Sequence, residues 1–161
     1  MSIDIKSLVK TTETSRAFEY PGIEGFIVTL VYLGRSKMRS INNKCTISRF
    51  KGNRQFQTVD EAMMAKELST AAVTGWDGLK VKHMKLLMPV QLGDTLKAED
   101  LVKYTEENAE LLMEHSIDFG NWVEDIILDI QRFTLQDKKS KEAIEGNLPD
   151  TLKPFDEKIQ P

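Results

Sequence analysis

Apolar side chains recur every three or four positions in the C-terminal third of the chain, and this periodicity restricts the fold more than any other feature. The repeating residues are Phe119, Trp122, Val123, Ile126, Ile127, Ile130, Phe133 and Thr134. A stripe with this spacing lies along one face of an α-helix, which buries it against a core. We therefore predict a long amphipathic helix from about residue 119 to residue 139, with Asp118 as its N-cap. Acidic residues come early in this segment and basic residues late, as the helix dipole favours.

A second apolar segment, residues 23–33, is rich in β-branched and aromatic side chains. Its two alternating sets of residues are both apolar, which predicts a strand covered on both faces. Gly34 follows this strand, and Pro21-Gly22 precedes it as a turn signal. We expect residues 1–22 to be an irregular N-terminal lead-in.

The basic segment at residues 35–50 allows two interpretations. Met38, Ile41 and Cys45 have the spacing of a short amphipathic helix, whereas Cys45 and Ile47 alternate with polar neighbours as in a strand. The helix is the preferred interpretation, and the strand stays open as the alternative.

The next segment combines a turn signal with a helix start. Residues 51–54 predict a loop or a hairpin turn. Thr58 and Glu61 have the spacing of a capping box, so we predict a helix over residues 59–74 that Gly75 ends.

The remaining segments complete the expected domain organisation. Residues 79–98 predict an irregular strand or loop, and a helix follows Thr105 and closes at His115. Residues 23–146 are expected to form a single α+β domain, helix-rich, with a small N-terminal β element and a long C-terminal amphipathic helix. Residues 147–161 are predicted to be a flexible, proline-containing tail.

Charge is distributed unevenly over the 161 residues. The net charge is −3, but residues 1–93 hold 14 Lys or Arg against 8 Asp or Glu, and residues 94–161 hold 8 against 17. No acidic residue occurs between Gly25 and Val59. Such a polarised molecule can associate head to tail with itself or present a basic patch to phosphates or an acidic protein, although a solvated face without a ligand is equally consistent.

Signals for catalysis and for membrane insertion are absent from the sequence. It contains no phosphate-binding loop, no dinucleotide fingerprint and no nucleophile elbow. Two histidines and one cysteine are too few for a structural zinc site, so we predict no catalytic, cofactor-binding or metal-binding residue, and no enzyme. The longest apolar stretch, Phe26 to Leu33, has eight residues including Thr29, and no signal peptide is evident, so the protein is expected to stay in the compartment that makes it.

Two short motifs in a fixed order resemble a known family. Residues 75–79 read Gly-Trp-Asp-Gly-Leu after a predicted helix, and residues 104–112 read Tyr-Thr-Glu-Glu-Asn-Ala-Glu-Leu-Leu. A closing helix then starts with Phe-Gly-Asn-Trp-Val at residues 119–123. Over residues 20–140 this arrangement resembles the tail assembly chaperones of long-tailed, siphovirus-like bacteriophages and prophages.

The resemblance implies a morphogenesis factor without a cofactor, acting in the cytoplasm of the infected bacterial host and absent from the mature virion. Its expected partners are the tape measure protein, which it keeps soluble, the tail tube protein, which it helps to recruit, and further copies of itself, including a frameshift-extended form in many members.

Seven residues are candidates for partner binding. The two tryptophans are either core residues or aromatic anchors for a partner. The complete set is Trp76, Leu79, Trp122, Ile126, Arg35, Lys37 and Arg39.

The alternative function is that of a nucleic-acid-binding accessory protein. It would use the basic segment 35–54, with Phe50 and Phe56 available for stacking on bases. The acidic overall balance, with a pI near 5.5, makes nucleic acid the less favoured partner.

Overall fold

The computed structural model describes residues 2, 4–8 and 13–134. Its helices are α1 (Ile5–Leu8), α2 (Arg35–Cys45), α3 (Glu61–Ala72), α4 (Val81–Leu87), α5 (Glu106–His115) and α6 (Ile117–Ile127). Its strands are β1 (Ser15–Glu19), β2 (Ile27–Val31), β3 (Thr46–Lys51), β4 (Arg54–Val59) and β5 (Val73–Asp77). The α+β class is confirmed. The predicted domain end at residue 146 and the predicted tail at 147–161 lie outside the described residues.

An antiparallel sheet with the order β1-β2-β5 places β2 at its centre. Val28 and Leu30 of β2 are fully buried, whereas Ile27 on the opposite face is exposed. The predicted strand is therefore confirmed, but the prediction that both of its faces are covered along its whole length is wrong. Helices α3 and α6 contact this strand and provide the apolar layer for one face.

Strand β1 corrects the prediction that residues 1–22 are irregular. Ser15 pairs with Val31 and Glu19 with Ile27, so the segment is the edge strand of the sheet. The sequence signal was weak because Phe18 is the only large apolar residue of this strand. Cross-strand hydrogen bonds, rather than apolar burial, stabilise β1.

Both interpretations of the basic segment apply, one after the other. Helix α2 ends at Cys45, and β3 follows at once and pairs with β4 as a two-stranded hairpin. The predicted turn is confirmed: Gly52 has φ +61 and Asn53 has no positive φ, as expected for a type II′ turn with glycine first.

Helix α3 is confirmed, but its predicted cap is wrong. Thr58 lies in β4 opposite Ile47, and Asp60 is the N-cap, with its carboxylate accepting from the Met63 amide at 3.1 Å. At the other end, Val73 leads directly into β5. The predicted helix end at Gly75 is therefore also wrong, since Gly75 is a strand residue.

The predicted long C-terminal helix is interrupted. Helix α6 starts after Ser116, whose hydroxyl rather than Asp118 caps it by accepting from the Phe119 amide at 3.3 Å. It ends at Ile127, because the Ile127 carbonyl accepts a hydrogen bond from the Leu33 amide at 2.9 Å, just past β2. Residues 130–134 are helical again, and the rest of the prediction to residue 139 lies outside the described residues.

The segment predicted as an irregular strand or loop contains a helix. Val81 to Leu87 form α4, and Lys80 before it makes an isolated antiparallel bridge with Leu101. By contrast, α5 is confirmed with the predicted start, since the Thr105 hydroxyl accepts from the Asn108 amide at 3.0 Å. Among the described residues, no helix combines the length and the apolar character that crossing a membrane requires.

Candidate functional site

A small apolar groove lies where β5, α4 and α5 meet. Its volume is about 240 Å³. Every lining residue except Asn108 is apolar; the set is Trp76, Leu79, Met84, Met88, Val90, Val102, Asn108, Leu111 and Leu112. We refer to this set as the apolar groove.

Trp76 forms a wall of the apolar groove and is held in place on two sides. Its indole Nε1 donates to the Val102 carbonyl at 2.8 Å, and its ring meets the Tyr104 ring edge-on at 5.2 Å. The Tyr104 hydroxyl in turn donates to the Val73 carbonyl at 2.9 Å. Burial and, to a smaller extent, the Glu106 carboxylate raise the pKa of Tyr104, so this hydroxyl remains a donor at neutral pH. The wall is therefore preorganised.

Leu79 forms the floor of the apolar groove because of a tight turn before it. Gly78 has φ +79, and a Cβ atom there would lie 1.9 Å from the Gly25 carbonyl oxygen. The Asp77 carboxylate accepts from the Gly78 amide at 2.9 Å, and the Leu79 carbonyl accepts from the Val102 amide at 2.8 Å. Only glycine allows this approach of two backbone segments.

Glu99 connects the segment before Val102 to the start of α4. Its carboxylate accepts hydrogen bonds from Lys80, at 2.6 Å, and from Lys82. These two hydrogen bonds lower the pKa of Glu99 to about 2. The pair of lysines thereby holds the loop that supplies Val102 to the groove.

The predicted partner-binding residues do not form one site. Trp76 and Leu79 both line the apolar groove, although Leu79 is only 1% exposed. Trp122 packs edge-on against Tyr20 at 5.0 Å and is half-buried. Ile126 is 1% exposed and lies in the core, where it cannot touch a partner directly.

The three predicted basic residues lie on α2, away from the apolar groove. Arg35 and Arg39 border a shallow surface depression beside Tyr32. Lys37 forms an exposed ion pair with Glu13 at 3.8 Å. These side chains are accessible, but the structure brings them together with neither tryptophan.

Sequence reasoning missed Met84, Met88 and Leu111 as surface residues of a possible site. Met84 and Met88 are one helical turn apart, which is a detectable signal. Pro89 and the partial alternation of neighbouring residues favoured a strand or loop over this segment, so the helical spacing was not recognised. Leu111 was assigned to α5 but not to a surface, and only the packing shows that it borders the groove.

Among the described residues, no group of three or more His, Cys, Asp or Glu is placed to hold a metal ion. The His83 Nδ1 accepts from the Lys80 amide at 3.2 Å, and burial together with neighbouring lysines lowers the pKa of His83. A neutral imidazole at the start of α4 has a capping role there.

No protein-family model, curated protein or solved structure matches this chain. The function therefore has to be inferred from the geometry of its surfaces.

Proposed function

We propose that the protein is a tail assembly chaperone of a long-tailed bacteriophage. In this role it binds and solubilises the tape measure protein, helps to recruit the tail tube protein, and acts in the cytoplasm of the infected host without entering the mature virion. The observation that supports the proposal best is the apolar groove, which suits a helical client.

The size of the apolar groove favours a peptide side chain as its occupant. Pockets for small ligands typically have about 300–1,000 Å³, and this groove has about 240 Å³. Apolar side chains projecting from one face of a client helix fit such a volume, as in other helix-in-groove complexes. A tape measure protein, as the resemblance implies, is long and helical and therefore presents many such faces.

The lining of the apolar groove suits a client with varied sequence. Met84 and Met88 are unbranched and flexible, so their side chains adapt to differently shaped apolar groups. Trp76 in the same groove is rigid, because its hydrogen bond to the Val102 carbonyl fixes the ring. One rigid wall and one adaptable wall allow the same groove to accept successive turns of a long client.

Leu111, at the edge of the apolar groove, is expected to contribute measurably to the free energy of client binding. Its side chain is 42% exposed in the free protein, and docking of a client would cover it. Burial of that fraction of a leucine is worth about 1 kcal/mol, which corresponds to about a fivefold change in Kd.

The proposal is tested with peptides that span a tape measure protein, which the proposal expects to be encoded beside this chain. The Trp122→Phe background leaves Trp76 as the sole tryptophan, so its fluorescence reports occupancy of the groove. We expect an amphipathic helical peptide to shift this emission, and Leu111→Ser to weaken its binding about fivefold.

A matched control is Leu86→Ser, since Leu86 is 67% exposed on α4 and does not line the groove. This change should leave the affinity unaltered. If no tape measure peptide binds, or if both serine variants weaken binding equally, the apolar groove is not the client site.

A further inference from the structure

The hairpin formed by β3 and β4, here called the hairpin arm (residues 46–59), projects with both faces largely exposed. Phe50 is 71% exposed and Phe56 is also exposed. An isolated two-stranded hairpin is marginally stable in water, and its aromatic rings gain nothing from the core. These rings are therefore available to a partner.

One face of the hairpin arm is cationic. Cross-strand partners share a face, so the pairs Arg49–Phe56 and Lys51–Arg54 place three basic groups and one aromatic ring together. Among the described residues, none of these three basic groups has a carboxylate oxygen within 4.0 Å. The face is referred to below as the cationic face.

The same chain carries a groove with the opposite charge. It runs between the start of α3 and the junction of α5 with α6, and has a volume of about 690 Å³. Three carboxylates and several apolar side chains line it, among them Glu61, Glu114, Glu124, Met64, Met113 and Ile117. We refer to it as the acidic groove.

The carboxylates of the acidic groove lack strong cationic partners. Of the lining residues, only His115 can carry a positive charge, and its Nε2 lies 3.9 Å from a Glu114 carboxylate oxygen. Partial burial and the neighbouring Asp125 carboxylate raise the pKa of Glu124. A cation seated in the groove would favour the charged form of Glu124 and so oppose both effects.

The hairpin arm cannot fill the acidic groove of its own chain. Val59, at the base of the arm, belongs to the groove lining and pairs with Thr46. The tip pair, Lys51 and Arg54, lies five residues farther along the strands, or about 17 Å away. Because the strands are paired along their whole length, the tip points away from the groove at its base.

We propose that the hairpin arm of one copy docks its cationic face into the acidic groove of a second copy. The charges are complementary, and the groove volume lies within the range of about 300–1,000 Å³ that accommodates several side chains. Phe56 on the arm and the exposed Ile117 at the groove add an apolar contact between copies. The arm and the groove are different surfaces, so the contact is heterologous and repeats from copy to copy.

This self-association is independent of client binding. It leaves the apolar groove open, so copies joined in this way would offer several client sites in a row. The failure of one proposal therefore does not entail the failure of the other.

The test reverses the charges on each surface in turn. The arm variant is Arg49→Glu, Lys51→Glu, Arg54→Glu, and the groove variant is Glu61→Lys, Glu114→Lys, Glu124→Lys. Sedimentation velocity at low salt should show self-association about 10- to 100-fold weaker in each, since three ion pairs are lost. The variant that carries both sets should associate again, because the complementarity is restored with inverted signs.

The matched control reverses three exposed lysines that lie outside the hairpin arm and both grooves, as Lys85→Glu, Lys97→Glu, Lys103→Glu. It changes the net charge by the same amount as the arm variant but should keep the wild-type association. Circular dichroism verifies that every variant is folded.

The proposal is overturned if the lysine control weakens association as much as the arm variant, or if the combined variant stays monomeric. It is also overturned if the arm variant self-associates normally but loses binding to a single-stranded oligonucleotide. That last result would identify nucleic acid as the occupant of the cationic face.

Discussion

Replacement of Gly78 by alanine should destabilise the protein more than the same replacement at Gly25. Both residues have φ +79, a conformation in which an L residue costs about 1–2 kcal/mol. They differ in their surroundings. A Cβ atom at Gly25 would have no atom within 4 Å, whereas one at Gly78 would lie 1.9 Å from the Gly25 carbonyl oxygen.

The contact at Gly78 adds a second cost to the backbone conformation. The Gly25 carbonyl belongs to the main chain and cannot rotate away, so two backbone segments have to separate. Overpacking of this kind costs about 1–3 kcal/mol. The free energy of unfolding should therefore fall by about 2–5 kcal/mol in Gly78→Ala and by about 1–2 kcal/mol in Gly25→Ala.

Urea denaturation followed by circular dichroism measures this difference directly. The urea concentration at the unfolding midpoint should decrease in both variants, and much more in Gly78→Ala. The slope of the free energy of unfolding against urea concentration should be similar in the two variants. The lower conformational entropy of the unfolded chain, which alanine causes at either site, cancels in the comparison. Equal midpoints for the two variants would refute the close approach of Gly78 to Gly25 and the construction of the apolar groove floor.

Two further predictions concern capping and pH. Asp60→Ala should lower the free energy of unfolding by about 1 kcal/mol in urea titrations. Thr58→Ala should lower it less, because the Asp60 carboxylate is the group that accepts from the Met63 amide of the helix. A larger loss in Thr58→Ala would identify Thr58 as the cap. The pKa of Glu99 is about 2 in the fold, below its ordinary 4.5, so its contribution to stability is present above pH 4.5 and is lost as the pH falls towards 2. An NMR titration of its side-chain carboxyl should show this depressed pKa, and replacement of both Lys80 and Lys82 by methionine should return it towards 4.5.

Elements with a continuous local signal were predictable. Strand β2 follows from a run that is apolar except for Thr29, and α5 follows from the Thr105 cap with acidic residues in the first turn. The hairpin turn follows from Gly52, because a two-residue loop needs the positive φ that glycine adopts readily. In each case, the residues that stabilise the element are neighbours in the sequence.

The candidate surfaces were only partly predictable. Trp76 and Leu79 were identified from a motif, and they do lie together in the apolar groove. Their partners Met88, just after α4, and Leu111, in α5, come from other elements, and no sequence spacing connects them to Trp76. The acidic groove could not be predicted from the sequence either, because Glu61 and Glu124 line the same groove only after α3 and α6 have packed near each other.

The α+β class, the acid-free basic segment, the central strand and the starts of α2 and α5 were predictable from the sequence, because composition, periodicity and capping act over a few residues. The caps of α3 and α6 and the presence of α1 and α4 were not. The tertiary structure alone decided that β1 joins the sheet and that α6 ends at Ile127. Both depend on hydrogen bonds between distant parts of the chain, such as the one from the Leu33 amide to the Ile127 carbonyl, and these form only after the sheet and the helices have packed together.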